Sequence, residues 1–161
     1  MTRKKLTKSE ADTMHHIAKV RQCIYDVTHE LTWRAESHDA SKLVEPELSG
    51  YESLQANLAD VDYGSEAYYL ALRAARDTIA HHYANNTHHP EHWPNGVAGM
   101  SLLDVMEMLC DWRAASERTK GGNMAQSLEV NFERFQISEQ LQSILINTVR
   151  ELGWIGNSQK E

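Results

Sequence analysis

Residues 16–31, HIAKVRQCIYDVTHEL, decide the fold class, because their large apolar side chains recur every three or four positions. Side chains at that spacing lie along one side of an α-helix. The positions are Ile17, Val20, Ile24, Val27 and Leu31. Ser9 and Asp12 have the spacing of a capping box, so we expect a long first helix to begin there.

The rest of the chain repeats this helical spacing, and no run alternates apolar and polar residues as a strand would. Further helix starts are predicted at Pro46, Ser65 and Ser101, near residue 124 and at Ser138. We expect the helix after Ser65 to continue through Tyr83 and to be followed by the loop NNTHHPEHWPNGVAG, residues 85–99. The sequence therefore predicts an all-α, single-domain bundle of about six or seven helices over residues 1–161, with residues 1–8 as a flexible basic tail.

The composition is typical of a globular chain that stays in water, with 41% hydrophobic and 24% charged residues. No apolar run approaches the ~20 residues that span a bilayer. The N-terminal MTRKKLTKSE lacks the apolar stretch of a secretory signal, so we expect a cytoplasmic protein with no membrane partner. Cys23 and Cys110 fall in apolar helical patterns, which predicts reduced thiols in the core.

The net charge of −7 argues against duplex nucleic acid as a partner, because a duplex binder needs positive charge against the phosphates. The chain also has no glycine-rich phosphate loop. A nucleotide, if the chain binds one, must be recognised by other means.

Nine histidines are the unusual feature, and most of them lie in residues 15–38 and 81–92. At about 100° per residue, His16 and His82 each lie about 60° from the centre of the apolar stripe of their helix. The histidines about 160° away are His15, His29 and His81. One histidine beside an apolar stripe is more often a hydrogen-bonded core residue than a ligand. Two of them, together with the adjacent His38-Asp39, favour a metal site.

The predicted helix from Ser101 to Thr119 is apolar nearly all round in its first turns, which is typical of a buried helix. Asp104, Glu107 and Asp111 nevertheless share one narrow stripe. Buried carboxylates must be paired or bind metal, although the stripe could equally be the side that faces water. Asp104 has the place of a capping-box acid, so Asp111 is the better candidate metal ligand.

These residues resemble the HD superfamily of metal-dependent phosphohydrolases, in which a histidine, an adjacent His-Asp and a distant aspartate come from different helices of an all-α fold. His16, His38-Asp39 and Asp111 match this pattern, and HDASK, residues 38–42, fits its frequent HDxxK form. Over residues 14 to 120 the chain is also similar to an uncharacterised group of small HD-like proteins of phages and bacteria. That likeness lies in HDASK, HHYANNTHHPEHW and MSLLDVMEMLCDWRAA.

The resemblance implies an HD-type helical bundle that binds one or two ions and hydrolyses a phosphate ester with metal-activated water. Imidazole and carboxylate ligands suit Mn, Fe, Co, Ni or Zn. The metal ligands implied or favoured are His16, His38, Asp39, His82, His89 and Asp111. His82 and His89 are assigned to a second metal or to phosphate contact.

The remaining site residues follow from the same resemblance. Lys42 would balance charge on the phosphate, and Glu47 or Glu107 would shuttle protons. His81 and His88 are expected to line the substrate site and Trp93 to stack on a base, although an aromatic residue near a helix bundle is more often part of the core.

A nucleotide or a related small phosphate ester is the expected substrate, as in many small HD enzymes, and a phage protein would act in the host cytoplasm. Two other functions remain open. Some HD-fold proteins are di-iron oxygenases, and a non-catalytic nucleotide-binding module is also compatible with the sequence. The last two helices are expected to complete the core or to form a homo-oligomer face.

Overall fold

Seven α-helices and three short 3₁₀ turns form the described part of the chain, residues 6–62, 64–118 and 122–156 of a computed structural model. No β-strand occurs in these ranges, so the all-α prediction is confirmed. The helices are α1 (Lys8–Ser37), α2 (Glu47–Leu58), α3 (Glu66–Ala74), α4 (Arg76–Asn85), α5 (Leu102–Ser116), α6 (Met124–Arg134) and α7 (Glu139–Glu151). Within the same ranges, no helix combines the length and apolar character needed to cross a membrane.

The backbone divides between His38 and Asp39 into two compact units, and the first of them is built on α1. Its N-cap is Thr7, whose side chain accepts from the Glu10 N–H, while the Glu10 carboxylate accepts from the Thr7 N–H at 2.7 Å. The predicted cap at Ser9 is therefore wrong by two residues, because Thr7 and Glu10 have the same capping-box spacing. Of the predicted tail, Thr7 and Lys8 belong to the cap and helix, and residues 1–5 lie outside the described ranges.

The apolar stripe of α1 is exposed from Ile17 to Val27, and Leu31 is half-buried. Ile17 and Ile24 are 50% and 58% exposed, and no residue of α1 is buried. His16 is exposed as well, so within the described part of its own unit it borders no buried core. The periodicity of an amphipathic helix indicates which side is apolar, but it does not determine whether another element covers that side.

The second unit contains two apolar clusters. Leu54 of α2 packs with Ala71 and Ala75, while a larger cluster joins α5, α6 and α7. The buried members of the larger cluster are Val105, Met108, Leu109, Trp112, Met124, Leu128, Phe132, Ile137, Leu145 and Val149. Trp112 stacks on Phe135 within this cluster, as expected for a core aromatic.

The helix starts in this unit agree with the sequence. Ser65, Ser101 and Ser138 are N-caps whose side chains accept backbone hydrogen bonds, and Pro46 directly precedes α2. The single helix predicted to follow Ser65 is instead broken at Ala75, where α3 ends and α4 begins. No glycine or proline marks this break. Ala75 is buried in the cluster that Leu54 of α2 also joins, and this contact could not be inferred from local sequence.

Both cysteines are free, as predicted, but the expectation that they lie in the core is wrong. Cys23 shares the exposure of α1, and Cys110 lies on the outward side of α5. The neighbouring Leu109 takes the buried position instead. Because the sequence around these two residues is apolar on most sides, it did not show that Leu109 rather than Cys110 faces the core.

Gly50 of α2 lies directly against Thr78 of α4. A Cβ at this position would lie 2.1 Å from Oγ1 of Thr78. We predict that Gly50→Ala lowers the free energy of unfolding by about 1–3 kcal/mol, because overpacking outweighs the gain in helix propensity. Chemical denaturation measures the change. Gly156→Ala is the control, since a Cβ there meets nothing within 4 Å. An increase in stability for Gly50→Ala would contradict this account of the α2–α4 contact.

Candidate metal centre

Asp39 takes its position from an unusual backbone conformation. α1 ends at Ser37, and Asp39 has a left-handed φ of 56° before the 3₁₀ turn Ala40–Leu43. Aspartate tolerates this region better than most residues, and such conformations are common at functional sites. One carboxylate oxygen, Oδ2, accepts from Lys42 Nζ at 2.5 Å, which leaves Oδ1 for other contacts.

Three histidines approach Asp39 within the second unit. His82, on α4, and His88, in the loop after it, are 1% and 2% exposed. Asp39 Oδ1 lies 3.2 Å from His82 Nε2 and 3.6 Å from His88 Nε2, and His82 Nε2 lies 2.9 Å from His89 Nε2. One donor atom from each of these four side chains lies within 4.8 Å of every other.

The spacing of these donor atoms fits the coordination shell of one ion. With metal–ligand distances near 2.0–2.1 Å, neighbouring ligand atoms are about 3.0 Å apart in an octahedron and about 3.4 Å apart in a tetrahedron. The 3.2 Å between Asp39 Oδ1 and His82 Nε2 falls in this range, the 2.9 Å between His82 and His89 lies just below it, and the 3.6 Å between Asp39 and His88 lies just above it. Three imidazole nitrogens and one carboxylate oxygen are a donor set suited to a divalent transition metal.

His89 is also in the protonation state that a metal ligand requires. Burial, together with the neighbouring His88 and His82, lowers the pKa of His89 to about 3, while Asp111 and Asp39 act in the opposite direction. The imidazole is therefore neutral at physiological pH. A neutral imidazole has a lone pair available to bind a cation.

Glu47, the first residue of α2, lies on the Nδ1 side of the His82 ring. Its side chain is 0% exposed. Glu47 Oε2 is 2.8 Å from His82 Nδ1 and accepts from the Ser41 hydroxyl at 2.8 Å, and Oε1 is 2.8 Å from His81 Nδ1. Burial by itself raises the pKa of Glu47, but the hydrogen bonds from His81, Ser41 and His82 outweigh it and lower the pKa. The buried carboxylate is therefore ionised at neutral pH.

A second carboxylate, that of Glu107, lies on the Nδ1 side of the His88 ring. Glu107 Oε1 of α5 lies 3.1 Å from His88 Nδ1, on the side of the ring opposite Nε2. Both candidate ligands therefore have an acidic group on the nitrogen that points away from Asp39. Neighbours of this kind orient metal-binding histidines in many proteins.

The structure groups the predicted metal ligands only in part. Asp39, His82 and His89 come together. Asp111 is not a member of that group. Its charge acts on His89 and partly opposes the lowering of the His89 pKa. His16 and His38 belong to the first unit, His16 as an exposed residue of α1 and His38 as its C-cap. Their role as ligands, like that of Asp111, stays a prediction.

The residues predicted to contact substrate have diverse surroundings. His88 joins the donor group, which the sequence interpretation missed, because nothing local distinguishes it from the other histidines of residues 81–92. His81 is largely exposed and its ring contacts Glu47. Trp93 donates its indole N–H to the carbonyl of Thr87 at 2.9 Å, so its polar edge supports the loop.

Asp104 connects α5 to the histidine loop, the segment after α4 that carries Thr87, His88 and His89. It is the capping-box acid predicted from sequence, accepting from the N–H and hydroxyl of Ser101, and it is only 3% exposed. Its other oxygen, Oδ1, accepts from the Thr87 hydroxyl at 2.6 Å. Because Thr87 directly precedes His88, this bond helps to fix where the loop histidines lie.

We predict that Thr87→Val lowers the free energy of unfolding by about 1–3 kcal/mol, because the buried Asp104 loses a donor while side-chain volume is kept. Thr148→Val is the matched control. Thr148 is half-buried and its hydroxyl donates to the carbonyl of Ile144 within the same helix rather than to a buried acid, so a change within about 0.5 kcal/mol is expected. Equal effects in the two variants, measured by denaturant titration, would show that the Thr87–Asp104 bond does not anchor the loop.

Comparison with known proteins gives a family but no activity. Residues 5–151 match the model of DUF5662, described as a family of unknown function. No curated protein and no solved structure matches the chain.

Proposed function

Since the chain belongs to the DUF5662 family, whose function is unknown, we propose a function from the geometry of its site. We propose that the protein is a metal-dependent phosphohydrolase that acts on a nucleotide or a related small phosphate ester. The observation that carries the proposal is the convergence of Asp39, His82, His88 and His89. The resemblance of HDASK and its surroundings to HD phosphohydrolases supports the same reaction class.

A divalent transition metal held by these four residues would supply Lewis acidity, polarising a phosphoryl oxygen and lowering the pKa of water. The chain's own residues would hold and orient the reacting groups. Asp39 is the single anionic member of the donor set, and the three imidazoles add no charge when neutral.

Lys42 is the cation next to the donor group. Its ammonium contacts Asp39 Oδ2 and lies 5.1 Å from the centroid of the Tyr51 ring. A partly exposed lysine in this position is suited to bind a phosphate oxygen and to offset charge that develops during hydrolysis. His81 is the solvent-facing member of the Glu47 network, and a substrate or a proton acceptor can reach it from that side.

Metal binding is the first prediction of the proposal. Protein purified without chelator is expected to contain about one equivalent of Mn, Fe, Co, Ni or Zn by elemental analysis. His89→Ala should weaken metal binding by at least about 100-fold, because it removes a donor atom. Mutating a residue that only hydrogen-bonds to a metal ligand typically weakens binding 10–100-fold, and the loss of a ligand should cost more. His29→Ala, at an exposed position of α1, is the control and should bind as the parent does. A parent protein that binds none of these metals would contradict the proposal.

Phosphate release is the second prediction. The metal-loaded protein should release phosphate from at least one member of a panel of nucleoside mono- and triphosphates, and Asp39→Ala should abolish the activity. Lys42→Ala is expected to lower kcat about 10²–10³-fold while metal content is unchanged. Lys19→Ala on α1 is the matched lysine control. Oxygen consumption with two bound irons would instead favour an oxygenase, and nucleotide binding without turnover would favour a binding module.

A further inference from the structure

We propose that Glu47 is a positioning residue of the metal site. Its buried carboxylate holds the His82 imidazole in the tautomer that carries hydrogen on Nδ1 and presents Nε2 to the ion. The inference rests on the proposed metal binding. It adds to that proposal a residue outside the donor group, and it gives Glu47 a different role from that of a proton shuttle.

The contacts of Glu47 leave neither carboxylate oxygen available. Oε2 faces both His82 Nδ1 and the Ser41 hydroxyl, and Oε1 faces His81 Nδ1, each at 2.8 Å. The side chain has no exposed surface. A group that shuttles protons must exchange partners with water or substrate, and Glu47 has no contact with solvent through which to do so.

The tautomer follows from the contacts that Glu47 makes. Glu47 Oε2 accepts from the Ser41 hydroxyl and lies 2.8 Å from His82 Nδ1, so this oxygen is placed as an acceptor and the hydrogen bond puts the proton on Nδ1. The position of Glu47 in the first turn of α2 also favours the anion, because the N-terminus of a helix is its positive end. A neutral imidazole protonated on Nδ1 has its lone pair on Nε2. That atom lies 3.2 Å from Asp39 Oδ1 and 2.9 Å from His89 Nε2.

Further hydrogen bonds keep this arrangement in register. The Asn86 amide donates to Ser41 Oγ at 2.9 Å and to the His82 carbonyl at 2.8 Å. Ser41 in turn donates to Glu47. Because Ser41 lies in the turn directly after Asp39, the network connects the carboxylate ligand, α2 and α4. A substitution at Glu47 should therefore change the positions of the donor atoms of Asp39 and His82.

Zinc affinity provides the first test, with the full-length metal-free protein titrated against a competing chelator. Glu47→Gln keeps the shape of the side chain but removes the charge, and we expect the dissociation constant for zinc to rise 10–100-fold. Glu45→Gln is the matched control, since Glu45 is exposed and bonds only to the Ser49 hydroxyl. It should bind zinc as the parent does. His81→Gln, which removes only the outer partner of Glu47, should have a much smaller effect than Glu47→Gln.

Histidine NMR provides a readout that a merely structural role would not change. Long-range ¹⁵N–¹H spectra of the metal-free parent should show His82 protonated on Nδ1, and Glu47→Gln should shift His82 toward the Nε2-protonated form. His88 has its own carboxylate, Glu107, and serves as an internal control that should not change. A parent His82 protonated on Nε2 would overturn the inference, even if the Glu47 variant failed to fold.

The two proposals fail in different ways. If the parent binds no metal, the proposed function is lost, while the His82 tautomer in the metal-free protein still tests the role of Glu47. If the parent binds zinc and Glu47→Gln binds it equally well, with the tautomer unchanged, metal binding stands and the positioning role is overturned.

Discussion

Two buried carboxylates, Glu47 and Asp104, are the constraint on which the arrangement of the site depends. An ionised carboxylate removed from water is stable only when donors replace its hydration, so each acid dictates the position of its neighbours. Glu47 requires donors from the turn after Asp39 and from α4. Asp104 requires them from Ser101 and from the loop that carries His88 and His89. Satisfying both acids brings these segments together.

This arrangement places the histidine loop on a rigid base. Loops commonly carry functional residues, but their positions are defined only where the surrounding scaffold fixes them. Here Thr87 is held on both sides, since its hydroxyl donates to Asp104 and its carbonyl accepts from the Trp93 indole. His88 and His89 follow directly in the chain. These contacts do not involve the candidate donor atoms, and they help to offset the conformational entropy lost when the loop is ordered.

Local chemistry made much of the fold predictable, and long-range packing accounts for what was missed. Serine caps at three helix starts and the facing of His82 could be inferred from spacing, and His82 is indeed buried while His81 is 43% exposed. The break at Ala75 could not be inferred, because no glycine, proline or capping residue marks it in the sequence. Nor could the burial of Glu47, since an acid in the first turn of a helix is ordinarily a solvated partner of the helix dipole.

The charges around the donor group give a further reason to connect the site with a divalent cation. Asp39 belongs to the donor set, and the groups in contact with the set include the carboxylates of Glu47 and Glu107 and the ammonium of Lys42. With neutral histidines, carboxylates gathered in a buried site carry an excess of negative charge unless cations compensate it, and burial makes such an excess costly. Protonating the histidines would compensate it, but His89 resists protonation because burial and its histidine neighbours depress its pKa. A divalent cation at the convergence of the four donors would neutralise the cluster without charging His89, which is why the proposed function places a metal there.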